Sequence, residues 1–318
     1  MTTHILVIGG GQNAEHNVSL ATAASIGKAL SSRGYTVIAL TIDLDGRWSK
    51  DGEPLGETVA ASVASALRFF DQAEVVFPAV HGPLGEDGTL AALCALTGVP
   101  VVGSGLRAGA LGMDKWSTKL VAQSLGIATA QGQLVCAAER DRVHFEGEVV
   151  VKPASSGSSY GVSAASTPEE LREALETAAQ FDERIVVEHM VRGREIDVAV
   201  LQEPGGELFT PPALEIHAQG LFDTATKYDG TATFSVPAAL TPAEAQSLSD
   251  AAKALYRELG CAGVARMDFF LTTRGPVLIE VNTMPGMTAH SQVPQMFAAA
   301  GIEYADLVQS MVRAALRP

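Results

Sequence analysis

The chain has 318 residues, of which 47% are hydrophobic, so it can bury a sizeable core divided among two or three packed units. Its formal net charge of -14 at pH 7 argues against a general nucleic-acid or anionic-membrane role, because such partners need a basic surface. The three cysteines are too few and too scattered for a disulfide framework or a zinc site. No signal-type segment opens the chain and no apolar run approaches the roughly 20 residues that cross a bilayer, so we expect a cytoplasmic protein.

The chain begins with a short apolar strand, a glycine-rich loop and a helix expected from about residue 18 to residue 30. GGGQNA at residues 9–14 fits the loose dinucleotide pattern G-x-G-x-x-A, with Asp43 near the end of the next strand. A nicotinamide-dependent enzyme is therefore one interpretation, and a plain strand-helix turn is another. Neither explains Glu15, which would repel a pyrophosphate in that loop.

A second buried strand, AEVVFPAV, runs into a glycine-rich loop that carries His81 and Glu86 and then into a helix. Loops at the carboxyl ends of α/β strands are where such sheets bind ligands. The turn in VPVVGSG indicates a domain boundary near residues 95–105, and Lys115 follows near the beginning of another helix.

The strand EVVVK at residues 148–152 leads into the loop PASSGSSYGVS. Such a loop offers backbone N–H groups and hydroxyls to a phosphate, and Lys152 at its base adds a positive charge. The P-loop pattern G-x-x-x-x-G-K-[ST] is absent, because the lysine precedes the loop. A flexible linker is the alternative, but the flanking strands favour a loop that covers a nucleotide.

The next segments alternate between regular elements and one long irregular stretch. A helix is predicted over residues 167–180, capped by Ser166 or Thr167, and RIVVEHMVRGREIDVAVL predicts two strands. Residues 215–237 show little regular pattern, which is typical of a lid or binding loop. A helix beginning T-P-A-E is predicted over residues 241–258.

Residues 263–286 predict a β-hairpin whose three-residue loop ends at Gly275. The pairs expected from that loop are Thr272 with Pro276, Phe270 with Leu278, Asp268 with Glu280, and Arg266 with Asn282. Because side chains alternate along a strand, the polar members share one face. The other face is expected to enter the core with Ala265, Met267, Phe269, Val277, Ile279 and Val281.

Two facing carboxylates and a carboxamide oxygen, with no His or Cys nearby, are ligands that a hard cation prefers. Mg²⁺ usually completes its octahedron with water and substrate phosphates, so this face predicts a magnesium-phosphate site. Arg266 beside it would stabilise developing negative charge. The residues of the hairpin alone also permit a simple solvated face.

Four blocks together resemble the D-alanine–D-alanine ligase family of the ATP-grasp superfamily: GGQNAEHNVSL, HGPLGEDGTLAA, VVVKPASSGSSYGV, and GVARMDFF with LIEVNTMPG. The resemblance covers nearly the whole chain. It implies an ATP-grasp fold of three α/β domains, with ATP held between the central and C-terminal ones. The expected boundaries are 1–97 for the N-terminal domain, 98–187 for the central one and 188–318 for the C-terminal one.

The resemblance also implies a reaction, its cofactors and its partners. An ATP-dependent ligase would join two D-alanines through a D-alanyl phosphate, giving a dipeptide for peptidoglycan precursors. ATP and two Mg²⁺ ions, which Mn²⁺ can replace, would be required. The expected partners are ATP, D-alanine and a second copy in a homodimer, with no nucleic acid or membrane. A paralogue that ligates another D-amino acid in secondary metabolism is the alternative.

Residues that match the family's motifs inherit expected roles in substrate binding. Glu15 would hold the ammonium group of the first D-alanine, with His81 near that substrate. Ser158 and Tyr228 would be the hydrogen-bonded partners of Glu15 and would tie a lid loop over the site. Arg266 would stabilise the acyl phosphate and the tetrahedral oxyanion.

The remaining matched residues concern the second substrate, ATP and metal. The backbone N–H of Gly286 would assist Arg266, and Ser291 would bind the carboxylate of the second D-alanine. The residues expected to contact ATP are Lys115, Lys152 and Lys227 at phosphates, Glu188, His189 and Val191 at adenine, and Glu195 at ribose. The expected Mg²⁺ ligands are Asp268, Glu280 and Asn282.

Some positions depart from the commonest form of the family. Tyr160 stands where a small aliphatic residue is frequent, and His189 where lysine or glutamate is commoner. These changes concern the packing of the loop over ATP, not the chemistry. Tyr228 stands where relatives that use D-lactate tend to carry histidine, which favours a dipeptide product.

Overall fold

Three β-sheets with helices packed around them form the protein in the computed structural model, which describes residues 3–217 and 233–316. The first sheet has the order β4-β3-β2-β1-β5. Its strands are β1 (His4–Gly10), β2 (Thr36–Ile42), β3 (Trp48–Lys50), β4 (Glu53–Pro54) and β5 (Val75–Pro78). The accompanying helices are α1 (His16–Ser32), α2 (Val59–Ala66), a 3₁₀ turn (Leu67–Gln72) and α3 (Thr89–Leu96).

Two helices and a short strand lead into the second sheet: α4 (Leu106–Met113), α5 (Lys115–Ser124) and β6 (Ala128–Thr129). The second sheet has the order β7-β10-β8-β9. Its strands are β7 (Gly132–Cys136), β8 (Val149–Pro153), β9 (Ser163–Ala165) and β10 (Arg184–His189). A 3₁₀ turn (Ala137–Arg142) and helix α6 (Pro168–Ala178) accompany it.

The third sheet has seven strands in the order β14-β13-β11-β15-β16-β6, with β12 also paired to β11. Its further strands are β11 (Arg194–Gln202), β12 (Leu208–Phe209), β13 (Leu214–His217), β14 (Thr233–Ser235), β15 (Val264–Thr272) and β16 (Gly275–Asn282). The last helices are α7 (Pro242–Leu259), α8 (Gln292–Ala299) and α9 (Tyr304–Ala315). Among the described residues, every helix is too short or too polar to span a lipid bilayer.

Two helix beginnings follow directly from local sequence. Thr167 accepts a hydrogen bond from the backbone N–H of Glu170 at the start of α6, so Thr167 and not Ser166 is the cap. At α7, Thr241 and Glu244 form a reciprocal capping box with proline at the first position. Both helices were predicted from these residue types, and the structure confirms them.

The hydrophobic core is divided unequally between the sheets. Buried side chains of β1 and β5 share one cluster with α8 and α9, including Ile5, Phe77, Phe297 and Val308. The second sheet has a separate cluster of its own, formed mainly with α6. The first sheet is therefore packed into the C-terminal part of the chain, whereas the second sheet forms an independently packed unit.

The hairpin β15–β16 confirms part of the predicted register. Arg266 pairs with Asn282 and Asp268 with Glu280, as expected. A β-bulge follows, so the predictions for the tip are wrong: the tip pairs are Phe269 with Leu278, Phe270 with Val277, Leu271 with Pro276 and Thr272 with Gly275. The loop has two residues, and Ile279 is the additional residue of the bulge.

The bulge changes which hairpin side chains enter the core. A shift of one residue moves side chains to the opposite face of a strand. Leu278 is consequently buried in the core, while Val277 and Ile279 line a cavity, contrary to the prediction. The apolar tip thereby forms part of a site wall.

Candidate functional site

Two cavities adjoin on the polar face of β15 and β16. The sheet cavity lies between the second and third sheets and has a volume of about 910 Å³, including space open to solvent. The loop cavity is lined by the loops after β1, β5, β8 and β16. Three charged side chains line both: Lys115, Arg266 and Glu280.

The structure gathers the described candidate residues at these two cavities. Those that line the sheet cavity are Lys115, Lys152, Glu188, His189, Val191, Glu195, Arg266, Asp268 and Glu280. Those that line the loop cavity are Glu15, His81, Lys115, Ser158, Arg266, Glu280, Asn282, Gly286 and Ser291. Lys227 and Tyr228 lie outside the described residues. Residues far apart in sequence thus converge on one cleft.

Arg266 occupies the junction of the cavities and is held by carboxylates. Its Nε and Nη2 donate to Asp268 Oδ1 and Oδ2, both at 2.7 Å. Asp197, whose side chain is fully buried, lies 3.5 Å from Nε. Burial opposes the charge of Arg266, but Asp268 and Asp197 raise its pKa above the usual value. The guanidinium therefore remains charged at physiological pH.

The oxygen ligands of the hairpin fit Mg²⁺ by their chemistry. Asn282 Nδ2 donates to Asp268 Oδ2 at 3.0 Å, and Lys115 Nζ lies 3.3 Å from Glu280 Oε2. Within residues 3–217 and 233–316, no three His, Cys, Asp or Glu side chains form a metal cluster. A pair of carboxylates with a carboxamide is nevertheless what Mg²⁺ uses when substrate phosphates and water complete its shell.

A buried charge cluster supports the wall of the sheet cavity. Glu188 accepts from Lys119 Nζ at 2.6 Å and pairs with Lys152 through its other oxygen. Lys119 Nζ also donates to the carbonyl of Ala130 at 2.6 Å. Burial opposes ionisation of Glu188, but Lys152 and Lys119 lower its pKa below the usual value. The three charges therefore fix one another beside the cavity.

Lys119 was absent from the residues predicted from sequence. It lies one helical turn after Lys115 on α5, so both lysines occupy the same face of that helix. The spacing of four residues was the signal that could have found it. Asp197 was also missed, because only the pairing of β11 with β15 places it opposite Asp268.

Glu15 lies where loops from distant parts of the chain meet. Ser158 Oγ donates to Glu15 Oε1, as the sequence predicts. A Cβ atom at Gly82 would lie 2.9 Å from Glu15 Oε2, and one at Gly157 would lie 3.0 Å from Oε1. These glycines therefore let two loops approach the carboxylate closely.

His81 connects the first helix to the segment after β16. Its Nδ1 lies 2.9 Å from the carbonyl of Met284, and its Nε2 lies 2.9 Å from Thr22 Oγ1. Because a carbonyl can only accept, Nδ1 carries the proton toward Met284. Burial lowers the pKa of His81, but Glu86 and Glu15 raise it above the usual value. Through its contact with the Met284 carbonyl, the imidazole positions the segment that carries Gly286.

The segment after β16 is closely packed at Gly286. A Cβ atom there would lie 3.1 Å from Ser291 Oγ. That hydroxyl also lies 2.8 Å from Thr288 Oγ1 and accepts from the backbone N–H of Thr288 at 3.1 Å. The chain fold thus brings the backbone of Gly286 next to the hydroxyl of Ser291.

The glycines after β1 have a packing explanation. A Cβ atom at Gly9 would lie 2.5 Å from Ala23 Cβ, and one at Gly10 would lie 2.2 Å from the carbonyl oxygen of Ile42. Gly11 donates from its backbone N–H to the same carbonyl at 2.7 Å. Close approach of β1 to α1 and β2 therefore accounts for the glycines without a bound dinucleotide.

Tyr160 attaches the Gly/Ser loop, residues 154–162, to the chain after α6. Its ring stacks on Phe181 with centroids 6.3 Å apart and an interplanar angle of 30°. Ser155 N donates to Asp182 Oδ2 at 2.8 Å, and Ser156 O accepts from Lys115 Nζ at 2.6 Å. The Gly/Ser loop is therefore anchored near its beginning by Ser155 and Ser156 and near its end by Tyr160.

Tyr160→Ala is expected to raise the KM for ATP about two- to tenfold, because an aromatic pair contributes about 0.5–1.5 kcal/mol. Tyr160→Phe keeps the ring and should leave KM within about twofold of wild type. Steady-state kinetics with varied ATP measures both. Equal KM values for wild type and Tyr160→Ala would show that the stack does not order the loop.

The family models and similar curated proteins point to the same family. A family described as D-ala D-ala ligase N-terminus matches residues 4–104, and one described as D-ala D-ala ligase C-terminus matches residues 126–313. The chain is 38% identical to a D-alanine--D-alanine ligase of Mycobacterium sp. (strain KMS), over 99% of this chain and 96% of that protein. It is 37% identical to one of Corynebacterium glutamicum, over 98% of this chain and 96% of that protein.

Solved structures with the same fold cover the chain almost completely. The VanG D-Ala:D-Ser ligase from Enterococcus faecalis superposes with a TM-score of 0.84 and 28% identity, covering 99% of this chain and 100% of its own. The D-alanine--D-alanine ligase from Bacillus anthracis complexed with ATP has a TM-score of 0.81 and 27% identity, covering 99% and 98%. These neighbours confirm the predicted ATP-grasp fold.

Proposed function

Because the chain belongs to the D-alanine–D-alanine ligase family, whose members are ATP-dependent ligases, we propose that it joins two D-alanines for peptidoglycan precursors. The meeting of the sheet cavity and the loop cavity at Lys115, Arg266 and Glu280 carries this proposal. A phosphate group at that junction is within reach of a small substrate in the loop cavity. Phosphoryl transfer needs mainly such positioning, together with charge neutralisation.

ATP occupies the sheet cavity in this proposal. Its adenine lies against residues 188–191 and its ribose against Glu195, with Lys115 and Lys152 at the phosphates. Asp268, Glu280 and Asn282 would hold Mg²⁺, with Mn²⁺ as a substitute, and the bound ions would neutralise the phosphate charge. Lys227 is proposed as a further phosphate contact from its motif alone.

The two D-alanines occupy the loop cavity. Glu15 holds the ammonium group of the first, whose carboxylate oxygen attacks the γ-phosphorus while ADP leaves. The amine of the second, held through its carboxylate by Ser291, attacks the acyl carbon, and phosphate leaves the tetrahedral intermediate. Arg266 and the backbone N–H of Gly286 stabilise the negative charge that develops on the oxygen of the tetrahedral intermediate. Ser158 and Tyr228 hold Glu15 in place through hydrogen bonds. His81 orients the segment after β16 that carries Gly286.

The wider organisation is proposed on the sequence resemblance. We place domain boundaries at residues 97/98 and 187/188, expect a homodimer, and assign the reaction to the cytoplasm, where ATP is available. The separate core of the second sheet supports a central unit that packs on its own, but β10 extends this sheet to His189, two residues beyond the proposed boundary. None of the observations favours a ligase of secondary metabolism.

Phosphate release from ATP and Mg²⁺ tests the function, with D-alanine, L-alanine, D-serine or D-lactate supplied and the product mass determined. We expect release with D-alanine and a product of the dipeptide's mass. Activity only with another amine or hydroxy acid would keep the mechanism and overturn the substrate. No phosphate release with any of the four would overturn the proposal itself.

A further inference from the structure

Gln292 contacts Arg266 from a different part of the fold than the carboxylates do. Arg266 Nη1 donates to Gln292 Oε1 at 2.6 Å. Gln292 is the first residue of α8, and it also lines the loop cavity. The arginine is therefore held by its own strand on one side and by the beginning of a helix on another.

The chemistry of the pair fixes the orientation of the carboxamide. A guanidinium has only donors, so the oxygen of Gln292 must face Arg266 and the nitrogen must face away. That nitrogen is buried and has no hydrogen-bond partner within the described parts of the chain. The carboxamide therefore presents its acceptor oxygen to the arginine.

Arg266 depends on Gln292 because its other close acceptor has a second proposed role. Both oxygens of Asp268 accept from Arg266, yet Asp268 is also a proposed ligand of Mg²⁺. Asp197 is more distant, at 3.5 Å. Gln292 is thus a short-range acceptor for Arg266 that stands outside the proposed metal ligands.

The position of Gln292 also joins two substrate contacts. Ser291, proposed to bind the second substrate's carboxylate, is its neighbour in sequence and the N-cap of α8. Val293, Met296 and Phe297 of the same helix are fully buried. The helix is therefore a rigid support that fixes Ser291 and the carboxamide together.

We propose that Gln292 is a positioning residue that holds the guanidinium of Arg266 in the place from which it stabilises the tetrahedral oxyanion. This inference rests on the proposed function for its kinetic consequence. It assigns no contact between the side chain of Gln292 and the substrates. Its effect is on the placement of the charge that stabilises the tetrahedral oxyanion.

Three variants test the proposal by kinetics. Gln292→Met removes the acceptor at similar size and is expected to lower kcat about 10- to 100-fold with the KM for ATP unchanged. Gln292→Glu keeps an acceptor and should recover kcat to within about fivefold, while its charge raises the KM for the second substrate. Gln295→Met makes the matched change on α8, at a side chain bonded to the His290 carbonyl, and should change kcat less than about twofold.

Either of two kinetic results overturns the proposal: wild-type kcat in Gln292→Met, or an equal loss in Gln292→Met and Gln292→Glu. Crystal structures of wild type and Gln292→Met supply a readout independent of substrate. The guanidinium of Arg266 should leave its position in the variant, and an unchanged guanidinium also overturns the proposal. If wild type does not ligate D-alanine, the proposed function fails, but the crystal structures still decide the role of Gln292.

Discussion

Glu280→Gln is expected to reduce kcat by on the order of 1000-fold or more without unfolding the protein. The carboxylate of Glu280 faces Asp268 across the hairpin, lies 3.3 Å from Lys115 Nζ and lines both cavities. Glutamine has the same shape but no charge, so it is a much weaker ligand for Mg²⁺. Phosphate release under saturating ATP and D-alanine measures the loss.

The control for this variant makes the same chemical change away from the cleft. Glu258 is exposed near the end of α7, and Glu258→Gln should retain kcat within about twofold. Thermal unfolding should give similar midpoints for wild type and both variants. Full activity in Glu280→Gln would falsify the metal assignment, whereas a collapsed midpoint would assign the loss to folding.

Glu188→Gln is expected to lower the free energy of unfolding by about 3 kcal/mol, because it leaves two buried ammonium groups without their carboxylate. Lys119 and Lys152 both contact Glu188, and their side chains are only 4% and 7% exposed. Urea denaturation measures the change. Loss of ATP affinity should accompany it, since Lys152 is a proposed phosphate contact.

The matched control is an exposed pair beside the same sheet, between the residue before β8 and the segment after β10. Glu148→Gln breaks the ion pair with Arg192, whose side chain is 77% exposed, and should cost about 0–1 kcal/mol. Comparable losses in Glu188→Gln and Glu148→Gln would contradict the buried-cluster interpretation.

The Glu188 effect has a definite pH dependence. The two lysines hold the pKa of Glu188 below its unfolded value of 4.5. The ionised carboxylate therefore contributes stability above that pH, and this contribution is lost as pH falls through the folded pKa. The stability difference between wild type and Glu188→Gln should accordingly be largest near neutral pH and shrink below 4.5. A difference that is constant with pH would refute the electrostatic explanation.

Alternation along the strands predicted the polar face of the hairpin better than the geometry of its tip. Alternation along two strands was sufficient to place Arg266, Asp268, Glu280 and Asn282 on one face. It was insufficient at the tip, because nothing in the local sequence distinguishes a two-residue loop with a bulge from a three-residue loop. The interpretation of Val277 and Ile279 as core failed for that reason.

Contacts between distant segments were beyond local reasoning. His81 meets Met284 across 203 residues of sequence, and Asp197 reaches Arg266 only through the pairing of β11 with β15. The core that the first sheet shares with α8 and α9 also depends on contacts between segments distant in sequence. Motif resemblance supplied the candidate site residues, whereas supporting residues such as Lys119 and Gln292 were identified only from the tertiary structure.

The division of the core implies that the two parts of the candidate site differ in how easily they can move. Lys152 and Glu188 are carried by the independently packed second sheet, whereas Glu15 and Ser291 flank the core shared by the first sheet and the last helices. Because the apolar cluster of the second sheet is separate from the shared cluster, we expect a displacement of that sheet to expose less apolar surface than a displacement of the first sheet. Ser158 follows β8 and would move with that sheet, whereas Glu15 and Ser291 would stay beside the shared core.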